Sequence, residues 1–320
     1  MNPATVSVVI ATYNYGAYIG EAIQSVLEQS YTGFELHIID DGSTDDTQQI
    51  VSEFLSDARV RYHRTTNRGQ SAAKNLGIAL STAPFVAFLD GDDLWLPDKL
   101  ERQIPLFLNK PEIGVVYSAR QVMDPVGRAM SVPQRPLYRG NVLNEIFRRN
   151  CVCFSSAVVR REVFERAGGF NEALPMAIDY ELWLRIAKHY QFDFVNDPLV
   201  LYRTGHANIS SAPGKRLEIV RQIIESFLQD EENQVRIAPR VRSFTLAEYW
   251  HDVGIVFMVE GRRRQAFAAF INALKYYPGL KMAWRGILTC LCPTWIRENI
   301  LRLVGREDWT QKVSWGKVGM

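Results

Sequence analysis

The run Phe85-Val86-Ala87-Phe88-Leu89 leads without a polar break into Asp90-Gly91-Asp92-Asp93. An unbroken apolar run has no solvent face, so it reads as a strand buried on both sides, the habit of parallel sheets. Its carboxyl end must then carry three carboxylates around one glycine. Like charges that close repel, and they need a cation or a proton among them. Asp90 and Asp92, two positions apart, can turn toward one point. Oxygen ligands of this kind suit a hard divalent cation such as Mg²⁺ or Mn²⁺, typically shared with substrate phosphates. An isolated Asp-x-Asp is more often an acidic turn that caps the next helix, so the rest of the chain has to decide.

Strand and helix signals alternate through the first half. Val6–Ala11 reads as a strand, and Ile19, Ala22, Ile23, Val26 and Leu27 recur at helical spacing. Phe34–Ile39 is a second strand. Asp40-Asp41-Gly42-Ser43-Thr44-Asp45 follows, where Ser43 or Thr44 can cap a helix running through Leu55 and Asp45 or Asp46 reads as a helix-capping acid only. Val60–His63 is a short strand and Ala72–Leu80 a helix. Pro97 opens another helix, and Ile113–Tyr117 is a further strand. This order predicts an α/β fold with a doubly wound, mostly parallel sheet. Ligands of such sheets bind outside the carboxyl ends of the strands. The polar clusters at 12–14, 40–45 and 90–93 all follow strands and are expected to converge there. Further on, residues 125–140 suit a loop, Phe154–Val159 a strand, Asp179–Ile186 a helix and Leu199–Arg203 a late strand. Beyond Gly214 only helical signals remain. The expected domains are 1–213, catalytic, and 214–320, an all-α extension.

The formal charge of +2 forecasts no nucleic-acid partner. Cys151-x-Cys153 and Cys290-x-Cys292 fit neither a disulfide framework nor zinc spacing. They read as buried free thiols, the first two on one face of a strand, in a reducing compartment. No basic segment precedes the first strand, and no apolar run reaches the roughly 20 residues of a spanning helix. The expected location is cytoplasmic.

Several segments, in this order, resemble the inverting family-two glycosyltransferases of the GT-A fold. They are Val8-Val9-Ile10-Ala11-Thr12-Tyr13-Asn14, Asp40-Asp41-Gly42-Ser43-Thr44-Asp45, Asn67-Arg68-Gly69, Lys74-Asn75, Leu89-Asp90-Gly91-Asp92-Asp93, Gly169-Phe170 and Asp179-Tyr180-Glu181-Leu182-Trp183-Leu184-Arg185. Each alone is weak; together they span roughly residues 5 to 210. The resemblance implies transfer of a sugar from a nucleoside diphosphate sugar, UDP-linked, to a hydroxyl of a glycan or lipid-linked acceptor. It implies a setting in bacterial-type polysaccharide, glycolipid or cell-surface glycan synthesis. Thr12, Tyr13, Asn14, Asp40 and Asp41 would hold the nucleobase and ribose, and Gly69 would let the backbone approach closely. Lys74 would reach the diphosphate, although arginine is commoner there in the family. Asp92 would bind Mg²⁺ or Mn²⁺ directly, and Asp90 would contact the ribose or a metal-bound water. Asp179 would be the general base that takes the acceptor's proton; the family usually has Glu before it, where this chain has Ile178. Arg203 and His206, in Tyr202-Arg203-Thr204-Gly205-His206, would reach the diphosphate or the metal.

Trp250, Gly254, Phe257, Gly261, Ala266, Phe270, Ala273, Leu274 and Pro278 are spaced like one tetratricopeptide unit. Leu280–Leu303 mixes Trp284, Ile287, Leu288, Trp295, Ile296, Ile300 and Leu301 with Lys281, Arg285, Arg297 and Arg302, and Pro293 breaks it in two. That segment fits either a packed helix pair or helices on an anionic membrane surface, peripheral on the inner face of the cell membrane. Two other readings compete with a transferase. A sugar-nucleotide pyrophosphorylase usually carries a Gly-x-Gly-Thr-Arg turn where this chain has Ala11-Thr12-Tyr13-Asn14. A non-catalytic interaction protein would explain the helices but not the carboxylates.

Overall fold

The computed structural model describes residues 4–206 and 213–292. Two compact units result, one from residues 1–143 and 151–206, the other from 144–150 and 207–320. In the first, β1 (Val6–Thr12), α1 (Gly16–Leu27), β2 (Phe34–Asp40), α2 (Thr47–Ser52), β3 (Val60–Arg64), α3 (Gln70–Leu80) and β4 (Phe85–Asp90) alternate. β5 (Leu94–Trp95), α4 (Lys99–Gln103), β6 (Ile113–Met123) and β7 (Ala129–Met130) follow. After α5 (Leu143–Arg148) come β8 (Val158–Arg160), α6 (Val163–Ala167), α7 (Ile178–Ala187) and β9 (Gln191–Arg203).

The sheet order is β3-β2-β1-β4-β8-β6-β9-β5, with β7 paired to β6. β1 pairs in parallel with β2 and β4, and β2 with β3. The expected α/β class holds, but the sheet is mixed, not mostly parallel: β8 runs antiparallel between β4 and β6, and β5 and β7 pair antiparallel with β9 and β6. β1, β2 and β4 are buried on both faces, mostly with apolar side chains; Ser7, Glu35 and His37 are the buried polar exceptions before the strand ends. The α3 side shows how tightly: a Cβ on Gly77 would stand 2.3 Å from Val9 Cγ1.

Several elements differ from their sequence pattern for local reasons. α2 runs only from Thr47 to Ser52, and Asp45 meets its first residue: Asp45 Oδ1 accepts from Thr47 N at 3.1 Å and from Thr47 Oγ1 at 2.6 Å. Phe154–Ser156 is a 3₁₀ turn ahead of β8, so Cys151 and Cys153 do not share a strand face. All four cysteines are free thiols, and Cys151, Cys153 and Cys290 are buried.

The second unit is helical throughout its described residues: α8 (Pro213–Gln229), α9 (Glu231–Arg236), α10 (Pro239–Val259), α11 (Arg263–Tyr276) and α12 (Lys281–Leu291). It includes residues 144–150 from the middle of the chain. Phe147 of α5 is fully buried, its ring 5.9 Å from Phe227, and Arg148 Nε lies 3.3 Å from Glu248 Oε2. Phe270 of α11 is gripped by glycines, since a Cβ on Gly254 would come within 2.5 Å of its ring and one on Gly286 within 2.6 Å. The residues read as a repeat lie on α10 (Trp250, Gly254, Phe257), in the turn at Gly261 and on α11 (Ala266, Phe270, Ala273, Leu274), with Pro278 just beyond it. Pro293, Trp295, Ile296, Arg297, Ile300, Leu301 and Arg302 lie outside the described residues. No helix among the described residues is long and apolar enough to cross a membrane.

One buried charge departs from the apolar pattern of β2. Glu35 accepts from Ser7 Oγ at 2.7 Å and from Thr82 N and Oγ1 at 3.2 and 3.0 Å, and Arg61 lies 3.2 Å away. Burial alone would raise its carboxyl. The hydrogen bonds from Ser7 and Thr82 and the charge of His37 outweigh burial and bring it down to about 2, from 4.5. The folded value lies below the unfolded one, so Glu35 stabilises the fold above pH 4.5 and loses that contribution as pH falls toward 2. Melting temperatures measured across this window should fall less steeply for Glu35→Gln than for the wild type, with the variant less stable at neutral pH.

Candidate active site

The carboxyl ends of β1, β2 and β4 lie side by side, Thr12 in register with Asp40 and Ala11 with Asp90. The expected convergence of the three polar clusters therefore follows from parallel pairing. The β1 and β2 loops are laced together. Asp41 N donates to Thr12 O at 2.9 Å, Asn14 N to Ser43 Oγ at 3.0 Å, and Thr44 N to Asn14 Oδ1 at 2.7 Å. Asn14 takes φ 55°, a left-handed turn that asparagine tolerates. Tyr13 beside it is 44% exposed. Thr12 Oγ1 is buried and has no hydrogen-bond partner among the described residues.

Asp40 and Asp41 divide into different tasks. Asp40 is fully buried, and both its oxygens are taken, Oδ1 by Ser43 N at 2.7 Å and Oδ2 by the Tyr62 hydroxyl at 2.5 Å. Asp41 grips the turn before α3, accepting from Arg68 N at 2.8 Å and Gly69 N at 2.7 Å. Gly69 sits at φ 93°, which explains the glycine, and a Cβ there would meet nothing within 4 Å. The space beside it is open.

The acidic turn after β4 is held from three directions. Lys74 of α3 is buried, with Nζ 3.0 Å from Asp90 Oδ1 and 4.5 Å from the centre of the Phe154 ring. Burial raises the Asp90 carboxyl; Lys74 opposes this, and the charges of Asp92 and Asp179 add to it. Asp93 is wholly enclosed, accepting from Ser155 Oγ at 2.5 Å and Arg203 N at 2.8 Å. Burial first, then Asp92 and Asp90, push its carboxyl well up. Asp92 Oδ2 lies 2.8 Å from His206 Nε2. Asp179 stands in the first turn of α7, half-buried, after Ala177 at φ 55°. It enters from a separate segment, yet its charge reaches Asp90.

Arg203 is committed to the scaffold. Its Nε donates to Asp92 O at 2.8 Å, Nη1 to Pro125 O at 2.9 Å and Nη2 to Glu21 Oε2 at 2.6 Å, while the guanidinium lies 4.8 Å over the Tyr18 ring. His206 packs beside Tyr18 and Tyr15, ring centres 5.1 and 6.2 Å away. Ser155, Tyr15, Tyr18 and Glu21 shape the site without any sequence signal of their own, because only the tertiary fold brings them to it.

Among the described residues no group of three or more His, Cys, Asp or Glu side chains is arranged to hold a metal ion. The donor set still fits one. Asp92 Oδ2 and His206 Nε2 stand side by side, and Asp90, two positions before Asp92, is paired with the ammonium of Lys74. A Mg²⁺ or Mn²⁺ ion held by a carboxylate and an imidazole would keep positions for water and phosphate oxygens.

A family model described as glycosyl transferase family 2 matches residues 7–168. The chain belongs to that family. Over 238 residues it is 30% identical to the Escherichia coli UDP-Glc:alpha-D-GlcNAc-diphosphoundecaprenol beta-1,3-glucosyltransferase WfgD, covering 72% of this chain and 89% of WfgD. S. aureus TarS 1-349 in complex with UDP superposes with a TM-score of 0.63 at 19% identity, covering 98% of this chain and 90% of that one. The mannosyltransferase PcManGT from Pyrobaculum calidifontis, in complex with GDP-Man and Mn²⁺, gives 0.65 at 20% identity, covering 100% and 86%. These likenesses place the fold in the GT-A type. Against three further curated relatives, all uncharacterized glycosyltransferases, the chain spans only 36%, 35% and 52% of their length.

The Arg203 contacts in this family 2 site differ in exposure, and that sets their weight. Arg203 is 2% exposed, whereas the Glu21 side chain is 61% exposed. Arg203→Lys, which cannot reach three acceptors at once, should cost about 1–3 kcal/mol in denaturant unfolding. Glu21→Gln removes one solvent-screened pair and should cost less than about 1 kcal/mol.

Proposed function

We propose that the site transfers a sugar from a nucleoside diphosphate sugar, UDP-linked, to an acceptor hydroxyl by a single displacement that inverts the anomeric carbon. The observation that carries this reading is Asp179. It comes from α7, apart from the acidic turn, and its charge is felt at Asp90. A base placed there can take the proton of an attacking hydroxyl from the side of the sugar opposite the leaving diphosphate.

In this reading the tied loops at Thr12–Asn14 and Asp41–Gly69 form the nucleoside end. Tyr13 packs on the base, and the orphaned Thr12 hydroxyl and open Gly69 face the ligand. Asp40 acts indirectly, by fixing Tyr62 and Ser43. Lys74 holds Asp90 in place and brings positive charge to the diphosphate. Asp92 and His206 would hold the divalent ion, with Asp90 beside it; when bound, the ion supplies charge against the leaving diphosphate. Arg203 orients Asp92 and Asp93 through main-chain contacts.

The donor class is supported by the nucleotide sugars bound in the solved relatives, UDP-GlcNAc in TarS 1-349 and GDP-Man in PcManGT, and the metal by the Mn²⁺ of PcManGT. Family membership sets aside the pyrophosphorylase and non-catalytic readings. For the acceptor, WfgD is named for a diphosphoundecaprenol-linked sugar and another relative as a chondroitin synthase. A glycan or lipid-linked acceptor in polysaccharide or cell-surface glycan synthesis is the corresponding proposal here.

Two substitutions separate the roles. Asp179→Asn keeps shape but cannot accept a proton, and should lower turnover about 10²–10⁴-fold with donor affinity nearly unchanged. Asp92→Asn should lose donor affinity and its dependence on Mn²⁺ or Mg²⁺ together. Calorimetric titration of UDP-sugars with and without EDTA, plus initial rates, reads both. Normal turnover in Asp179→Asn would move the base elsewhere, and donor binding indifferent to EDTA would remove the metal.

A further inference from the structure

The stretch Gly261–Cys292 carries six cations, Arg262, Arg263, Arg264, Lys275, Lys281 and Arg285, and no Asp or Glu. The whole chain is nearly balanced, 37 Lys and Arg against 35 Asp and Glu, so this is a local concentration of charge. Some of these cations have structural work. Arg263 Nη2 donates at 2.6 Å to the carbonyls of Cys290 and Cys292 at the end of α12, and Arg262 pairs with Glu260 at 2.7 Å. Arg264, Lys281 and Arg285 are exposed.

α12 is apolar on two faces. Ala283, Gly286, Ile287 and Cys290 are buried. Trp284, Leu288 and Leu291, spaced i, i+4 and i+7, are 52%, 62% and 67% exposed. At 100° per residue these three fall in one sector of the helix, and Lys281 and Arg285 lie along its margin. An exposed apolar stripe bordered by cations marks a surface that meets something apolar and negative.

From this we infer that the outer face of α12, with the basic turn at Gly261–Arg264, docks on an anionic lipid bilayer. Charge complementarity selects this occupant. A second copy would set one cationic face against another. The rest of the chain, residues 293–320, has Arg297, Arg302, Arg306, Lys312 and Lys317 against Glu298, Glu307 and Asp308, so it too is net basic. A soluble polyanion would satisfy the cations but leave the leucines in water. A bilayer takes both: leucine and tryptophan enter the acyl boundary while lysine and arginine meet the headgroups. The inference deepens the lipid-linked acceptor reading, but its test does not pass through glycosyl transfer, so the two fail separately.

The test is co-sedimentation of the full chain with phosphatidylcholine vesicles, with and without about 30% phosphatidylglycerol. Binding is expected only with the anionic lipid and should weaken as salt is added. Leu288→Glu/Leu291→Glu should bind at least about tenfold less tightly. These side chains are exposed, so its thermal melt by circular dichroism should match the wild type. Lys281→Ala/Arg285→Ala should lose a similar factor. Absence of binding by the wild type, or binding unchanged by the leucine pair, overturns the proposal. So does a dimer in size-exclusion chromatography that the leucine pair dissociates, which would make a second copy the occupant. Heparin that displaces the vesicles from wild type and binds the leucine variant as tightly would instead identify a polyanion site.

Discussion

Repulsion among Asp90, Asp92, Asp93 and Asp179 is the constraint around which this site is built. Burial raises the proton affinity of Asp90 and Asp93 first, and the neighbouring carboxylates push both further up. Each relief comes from a different element. α3 sends in Lys74, supported from beneath by the Phe154 ring. The 3₁₀ turn before β8 sends Ser155 to Asp93. The end of β9 sends the Arg203 amide to Asp93 and His206 to Asp92. The antiparallel insertion of β8 next to β4 is thus part of the site, since it carries Ser155 to the acidic turn.

The same constraint explains which parts of the site can be read from sequence. The apolar runs of β1, β2 and β4 are legible because burial on both faces demands them, and parallel register then brings Thr12, Asp40 and Asp90 together. The cap of α2 is legible only as a cluster: Ser43, Thr44, Asp45 and Asp46 all suit it by rule, and the path of the chain chooses Asp45. Arg203 was expected to face the diphosphate from its position in a familiar motif. The structure encloses it between Glu21, Pro125 and Tyr18, residues far away in sequence. No spacing rule carries that information. The turn at Phe154 is a similar case: its composition suits a strand, and the contacts of Ser155 and Ser156 with neighbouring strands override propensity.

The helical region shows a different limit. A boundary drawn where strand signals stop treats everything before it as one domain. Yet residues 144–150 join the helical unit, with Phe147 against Phe227 and Arg148 and Arg149 on the buried Glu248. Burial raises the Glu248 carboxyl and the two arginines oppose it, so α5 supplies the counter-charge for a buried acid of α10. A chain ending near residue 213 would leave Phe147 of α5 without the Phe227 ring and Arg148 and Arg149 without Glu248, a physical reason to keep the two segments together in any dissection.

Among the aspartates that sequence alone marks as functional, hydrogen bonding sorts the roles. Asp40, Asp41 and Asp93 each have both oxygens satisfied by amides or hydroxyls of the protein. A buried carboxylate so satisfied gains nothing by releasing those partners to a ligand, because the amides and hydroxyls left behind would be unpaired. In the structure these contacts fix loops. Asp92 answers instead to a histidine, a group that can exchange a hydrogen bond for a metal, and Asp90 to a single lysine. Carboxylates whose partners are themselves ions or potential ligands can change partners when a charged donor arrives. In the proposed transfer the responsive chemistry therefore falls to Asp90, Asp92 and His206, with Asp179 approaching from α7, while the tied loops around them would present a fixed geometry to an incoming diphosphate.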